Sequence, residues 1–346
     1  MIETGHSEHS EKPKSRRAAI AGDVQQLCKV HAMNPIIDID TGIFEHFKCY
    51  SGWVPAGFWA NWLGVLTRSY VWAFPEDVLN INSRGRYESL GYPVSDEHVL
   101  DWVPLLQAVL DADDTFMMAA LGAGWGRWLS GGAFAARNTG RGYYLVGVEA
   151  EPEHFRWLQI HLQENGLDSS CYRLINAAVS SRKGHCWFYV GKPASWYGQS
   201  VVSDDAVRRL CQAPAEPGAE MSYKGERIRR ILCVGLEEVI GDLQSVDYVH
   251  LDIQGSELDV LKAGREVLQS RVKMVNVGTH SNEIETELRR YFRKLNWINR
   301  FDVPAKTRVS IKLGGKKVSE VKFGDGVQVW VNSAFSESSS RISWKS

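Results

Sequence analysis

The six cysteines (Cys28, Cys49, Cys171, Cys186, Cys211 and Cys233) are scattered, and no two form a CxxC pair. Reduced thiols in a cytoplasmic protein are the simplest expectation. No apolar run approaches the roughly 18 residues of a membrane span. Residues 1–17, MIETGHSEHSEKPKSRR, hold no apolar stretch, so a disordered tail is expected there and not a secretory leader. Basic excess is missing as well. Forty Lys and Arg stand against 41 Asp and Glu, for a net charge of −1, and no basic block interrupts the chain. A general nucleic-acid or membrane-surface binder is therefore not expected. Internal repeats are also lacking.

What the chain does hold is length enough for a large core and thirteen tryptophans in 346 residues. Trp53, Trp59, Trp62 and Trp72 gather in an aromatic, Gly- and Pro-containing stretch at 51–98. That stretch has no regular period, and a lid, a cap or a dimer face would suit it. Trp125 and Trp128 stand further on. Core packing accounts for such residues, and an aromatic wall for a ring-bearing substrate is the alternative.

Regular alternation begins near residue 99. Phe116–Leu121 reads as a strand, residues 127–138 as a helix, Tyr143–Val148 as a second strand, and Pro152 opens a helix that stops at Gly166. A third strand follows at Arg173–Val179 and an additional one at His185–Val190. After a long connection at 191–226 come strands at Ile228–Val234, Val246–Ile253 and Val272–Gly278, with helices at 236–243, 256–269 and 282–295. Trp297–Val303 and Val327–Asn332 close the pattern, joined by a hairpin-like insert. This alternation predicts an α/β fold, a doubly wound, mainly parallel seven-stranded sheet with an antiparallel edge. The expected division is a tail at 1–17, an N-terminal cap or extension at 18–98, the main domain at 99–335 and a loose tail at 336–346.

In such a sheet, ligands meet the carboxyl ends of the strands. The first strand ends in LGAGWGRW, with Gly122, Gly124 and Gly126 at alternate positions. Bare backbone at a strand-to-helix turn permits positive φ and close approach of a ligand. The nicotinamide fingerprint GxGxxG wants glycine where Arg127 stands, which weakens a dehydrogenase reading. Glu149, closing the second strand, is placed to bind both hydroxyls of a ribose; a carboxylate at a helix start would also be favourable there. Asp252 closes VDYVHLDI. It can hold an ammonium group, orient a hydroxyl or cap the helix after it. Glu257 reads as a first-turn helix carboxylate. His250 falls on the face of Asp252 and reads either as a support for the site or as a satisfied core histidine.

LGAGWGRW, GVEAEP and VDYVHLDIQGSELDVLKAG together resemble the FkbM family of S-adenosylmethionine-dependent methyltransferases. The resemblance covers roughly 99–335 and implies a class I methyltransferase fold. It also implies O-methylation of a hydroxyl on a sugar or other small natural product. By position it places Gly122, Ala123, Gly124 and Gly126 beside the cofactor, Glu149 at its ribose, Asn176 and Ala177 near its adenine, and Asp252 after the fourth strand. Methyl transfer to a hydroxyl requires proton removal, for which Asp252 or His280 is expected. A divalent metal is compatible with the chain but not favoured, because the fifth strand ends in His280, Asn282 and Glu283 instead of an acidic pair. Trp196 and Tyr197, in a loop of the long connection, are expected to contact the acceptor. A homo-oligomer is compatible with these features. The competing functions are an NAD-dependent oxidoreductase and a non-catalytic S-adenosylmethionine-binding scaffold.

Overall fold

Apolar runs of six to eight residues make strands that are covered on both faces, and the sheet they build carries the site. The computed structural model of the protein describes residues 36–39, 41–72, 84–93, 98–191, 199–202, 216–313 and 316–338. The main sheet has seven strands: β1 (Thr115–Leu121), β2 (Gly142–Glu149), β3 (Tyr172–Asn176), β4 (Val246–Leu251), β5 (Val272–Thr279), β6 (Ile298–Val303) and β7 (Gly326–Val331). Their order is β6-β7-β5-β4-β1-β2-β3. Strands β3, β2, β1, β4 and β5 run parallel, and β7 is antiparallel to both β5 and β6. The antiparallel strand is thus inserted inside the sheet, whereas the sequence pattern predicts it at the edge. The chain turns back after β6 and the returning strand slips between β6 and β5.

Seven helices cover this sheet: α1 (Val99–Asp111), α2 (Arg127–Asn138), α3 (Pro152–Glu164), α4 (Leu236–Ile240), α5 (Glu257–Ala263), α6 (Arg265–Arg271) and α7 (Asn282–Lys294). Side chains of a strand alternate between its faces. Met118, Ala120 and Tyr248 accordingly pack with Leu105, Leu129 and Leu158 of α1, α2 and α3. Ala119, Leu121, Val249 and Leu251 pack with Val239, Leu261, Leu268 and Phe292 of α4 to α7. Burying one such side chain fully is worth about 1.5–3 kcal/mol, so both layers are strongly fastened to β1 and β4. The helix expected over 256–269 is two helices, α5 and α6, broken at Gly264. A Cβ on Gly264 would come within 2.5 Å of Leu236 Cβ.

Two smaller sheets stand apart. The strand expected at Ile228–Val234 does not join the main sheet. It belongs to Glu226–Val234, which pairs with Gly184–Tyr189, Glu220–Tyr223 and the short Ala178–Val179. The insert before β7 is a true hairpin, Arg308–Leu313 with Lys316–Lys322, extended by Ile36–Ile39. The aromatic stretch forms a two-stranded antiparallel sheet, 51–54 with 86–89, and between them in the chain a short hairpin, 58–60 with 66–68. Trp62 meets Trp102 of α1 edge-on at 5.5 Å, and Asn165 exchanges two 2.8 Å hydrogen bonds with the Leu66 backbone. Trp53 and Tyr87, opposite each other in the two-stranded sheet, stay 59% and 68% exposed. The tail expected at 1–17 and the acceptor contacts Trp196 and Tyr197 lie outside the described residues. A 3-10 helix at Ser333–Ser338 carries regular structure into the tail expected to be loose.

Candidate active site

The site grows from the ends of β1 and β4. Asp252 N donates to Leu121 O at 2.9 Å, which continues the pairing one residue beyond the strands. Gly122 N and Ala123 N both donate to Val148 O at 2.9 Å, folding the loop over the end of β2. Gly122 has φ +78°, and a Cβ on it would fall 1.9 Å from Asp252 O. Only glycine satisfies both conditions. Gly126 has φ +91° for a different reason. Its missing side chain faces Leu158, whose Cδ1 would lie 2.5 Å from a Cβ there. Gly126 therefore lets α2 and α3 approach each other and is not part of the cavity wall, whereas Gly122, Ala123 and Gly124 are.

Glu149 closes β2 as expected and is only 7% exposed. Its Oε2 accepts from Gly124 N at 2.7 Å and its Oε1 from Glu151 N at 2.8 Å. Burial pushes its carboxyl up to about 7, although those two N–H donors work in the opposite direction. Glu151 in turn caps α3, accepting from His154 N at 2.8 Å. The acid at the end of β2 thus ties the glycine loop to the next helix and still borders the cavity.

That cavity has a volume of about 950 Å3. Ala150, Ala177, Ala178 and Phe188 make an apolar wall beyond β3, and Trp125 and Trp128 line it from the loop and α2. Ala177 therefore lines the cavity. Asn176 is one step removed, its amide donating to Glu149 O at 2.8 Å and to Ala150 O at 3.3 Å. The glycine loop, the buried acid and the apolar wall thus border one cavity.

Across the cavity, Asp252 stands at the end of β4 with its side chain 42% exposed. Its Oδ1 lies 3.3 Å from His280 Nε2, and His280 Nδ1 lies 3.1 Å from Glu257 Oε1. Glu257 is fully buried; the same oxygen accepts from Gly255 N at 2.9 Å, and its Oε2 has no partner. Burial works to lower the His280 imidazole, but hydrogen bonds and charge from Asp252 and Glu257 outweigh it and lift the ring to about 10. Desolvation would raise the Asp252 carboxyl, yet His280 holds it below its usual value. His280 is therefore a cation at neutral pH with both nitrogens donating. It offers no lone pair, so the proton-accepting role expected of it is not compatible with this geometry. Donor atoms of these three residues lie within 4.8 Å of one another. However, the ring sits between the carboxylates with one nitrogen toward each, which is the arrangement of a charged hydrogen-bonded chain.

Sequence reasoning missed two parts of the site. Glu257 reads as a first-turn helix carboxylate, and no local signal places it under His280, 23 residues away. Asp101, from the first turn of α1, also lines the cavity. Its Oδ1 accepts from Asn276 Nδ2 at 2.9 Å and lies 3.9 Å from His250 Nε2; its Oδ2 lies 3.8 Å from His98 Nδ1. The dipeptide Gln254–Gly255, with φ +55° and +103°, was a readable turn signal that aims the chain from Asp252 back to Glu257.

Known proteins similar to this chain are methyltransferases by name. A protein of Jannaschia sp. (strain CCS1) with a provisional methyltransferase name is 27% identical over 267 residues, covering 75% of this chain and 89% of that one. A crystal structure of methyltransferase FkbM from Methylobacillus flagellatus KT aligns with a TM-score of 0.39 and 13% identity, over 63% of this chain but only 44% of the other. Precorrin-6y C5,15-methyltransferase from Geobacter metallireducens GS-15 aligns with a TM-score of 0.36 and 10% identity, over 70% and 91%. Residues 121–298, just over half of the chain, match the Methyltransferase FkbM domain. On this match the protein belongs to the FkbM methyltransferase family, which implies S-adenosylmethionine as its methyl donor.

Proposed function

We propose that the protein is an O-methyltransferase that transfers the methyl group of S-adenosylmethionine to a hydroxyl of a sugar or similar small natural product. The observation that carries this reading is the convergence of Gly122–Gly124, Glu149 and Asp252 on one cavity. Glu149 accepts hydrogen bonds from the ribose diol, and Ala177, Ala178 and Phe188 cover the adenine. The sulfonium supplies an electrophilic methyl group. Asp252, kept ionised by His280, orients the acceptor hydroxyl or the donor's ammonium, and positioning is a large part of the rate gain in such transfers. No disulfide joins the described cysteines Cys49, Cys171, Cys186 and Cys233, which supports a cytoplasmic setting. Among the described residues, no helix is long and apolar enough to cross a membrane.

No metal enters this reading, because both nitrogens of His280 already face carboxylates; added EDTA should leave transfer unchanged. The discriminating experiment is a thermal-shift titration with S-adenosylmethionine, S-adenosylhomocysteine and NAD. At one hundred times Kd a ligand of the native state adds about 2.7 kcal/mol of stability. Stabilisation by the first two alone is expected, and a response to NAD alone would sink the reading. Transfer of labelled methyl to neutral sugars and phenols, with the product analysed for an O-methyl group, then tests the acceptor class.

A further inference from the structure

With His280 held as a cation, Asp252 is left of the two expected proton acceptors, and a carboxylate held below its usual value by His280 is a weak base. Four histidines stand in or beside the site, and their surroundings differ. His280 has both nitrogens engaged by carboxylates. His98 Nε2 faces Arg127 Nη1 at 2.9 Å; since a guanidinium only donates, that nitrogen is the acceptor and is already used. His154, at the start of α3, packs its ring against Trp157 with centroids 5.3 Å apart. His250 is the fourth. It lines the cavity two residues before Asp252 on the same face of β4.

We propose that His250, supported by the Asp101 carboxylate, is the catalytic base that takes the proton of the acceptor hydroxyl. This assignment rests on the O-methylation reading given above. His250 Nδ1 has no hydrogen-bond partner, and Nε2 lies 3.9 Å from Asp101 Oδ1. Asp101 is itself held by Asn276, which also donates to Tyr248 OH at 2.9 Å. The carboxylate therefore waits in a fixed position next to the nitrogen that becomes charged. Trp128 covers the ring at 5.7 Å between centroids. The flanking strand partners, Asn276 on β5 and Ala120 on β1, bring no charge. The charged groups facing the ring are Asp101 from α1, Arg127 from α2 and Asp252 on its own strand.

Burial holds the His250 ring below its ordinary value, against the opposing pull of Asp101 and Asp252, so it is neutral at pH 7 and able to accept. In the step, the acceptor oxygen bonds the methyl carbon and the carbon–sulfur bond breaks with its electron pair on sulfur. The hydroxyl proton passes to His250 Nε2, beside Asp101. No oxidant or further reactant is required.

The test uses the whole protein saturated with S-adenosylhomocysteine and labelled with 15N-histidine. Calorimetry of that complex reports separately on the donor reading. The ring resonances are followed by NMR from pH 5 to 10 and assigned by their loss in His250→Gln and His280→Gln. A neutral His250 at pH 7, titrating below 6.5 and lower still in Asp101→Asn, is expected. A doubly protonated His250 at pH 7 overturns the assignment. Transfer of labelled methyl to glucose, glucuronate and catechol supplies the kinetic readout. His250→Gln should lower the rate about 10²- to 10⁴-fold without changing the affinity for S-adenosylhomocysteine. It should also abolish the rise in rate as pH climbs through the His250 midpoint measured by NMR. An unchanged rate or an unchanged pH profile overturns it as well.

Discussion

His250 and His280 end neighbouring parallel strands, yet their chemistry is opposite. His280 lies between Asp252 and the buried Glu257, and its ring is lifted to about 10. His250 lies between Trp128 and the sheet, with Asp101 no closer than 3.9 Å, and burial keeps its ring below the ordinary value. The same residue type at the same edge of a sheet is a structural cation in one place and a neutral acceptor in the other. What separates them is carboxylate distance. Two acids in hydrogen-bond range overcome desolvation, whereas Asp101 at nearly 4 Å together with Asp252, opposed by Arg127, does not.

The sharpest way to break the contrast is to remove the cation. His280→Ala should cost about 3–5 kcal/mol, because it leaves Glu257 buried without its counter-charge. The pH dependence follows from the raised value. The histidine's contribution is complete below 6.5 and is lost as pH rises through 10. Urea unfolding should therefore show a gap between wild type and variant that is wide at pH 7 and narrows toward pH 10. A gap independent of pH would mean that His280 is not the charged partner.

Asp252→Ala acts on the same chain from its open end. Methyl transfer should fall about 10²- to 10³-fold, the range for a positioned charged group in a site. The melting point should move less than for His280→Ala, because Asp252 is 42% exposed and Glu257 keeps its imidazolium. The His280 ring should titrate lower once its Nε2 loses a carboxylate, which NMR can follow. Turnover equal to wild type would remove Asp252 from the mechanism.

The legible part of this site was the part written in consecutive residues. LGAGWG, the acid at Glu149 and Asp252 at a strand end each carry their geometry in their neighbours, and the structure brings them to one cavity. Gly126 was readable as a required glycine but not as a helix-packing one, since that depends on Leu158 in another helix. His280 could not be told from His250, because Glu257 and Asp101 reach them only through the fold. The sheet order had the same limit. Two consecutive strands announced an antiparallel member, but only pairing with β5 decides that β7 enters the sheet instead of bordering it.

Glu149 extends the comparison to the opposite wall, where an acid has no cation. Its folded value is raised from 4.5 to about 7, so burial favours the protonated form. The associated stability is present below 4.5 and is lost as pH rises through 7. Glu149→Gln cannot ionise and should be more stable than wild type at pH 8, by about 1–3 kcal/mol, with little difference at pH 4.5. Its affinity for S-adenosylhomocysteine should fall at least tenfold. A variant less stable than wild type at pH 8 would show that the Gly124 and Glu151 donors outweigh desolvation.

The smallest effect is expected at Tyr248, behind Asp101. The phenol is buried and pushed well above 10, so it stays un-ionised and accepts one hydrogen bond from Asn276 Nδ2. Tyr248→Phe removes that acceptor but leaves the Asn276 bond to Asp101 in place. The loss should be about 1 kcal/mol, with His280 titrating as in wild type. The titration of His250 is the informative readout. If Asn276 alone fixes Asp101, the His250 midpoint stays where it was. If the phenol is needed to hold Asn276, Asp101 drifts, the His250 midpoint falls toward that of Asp101→Asn, and the two histidines become still less alike.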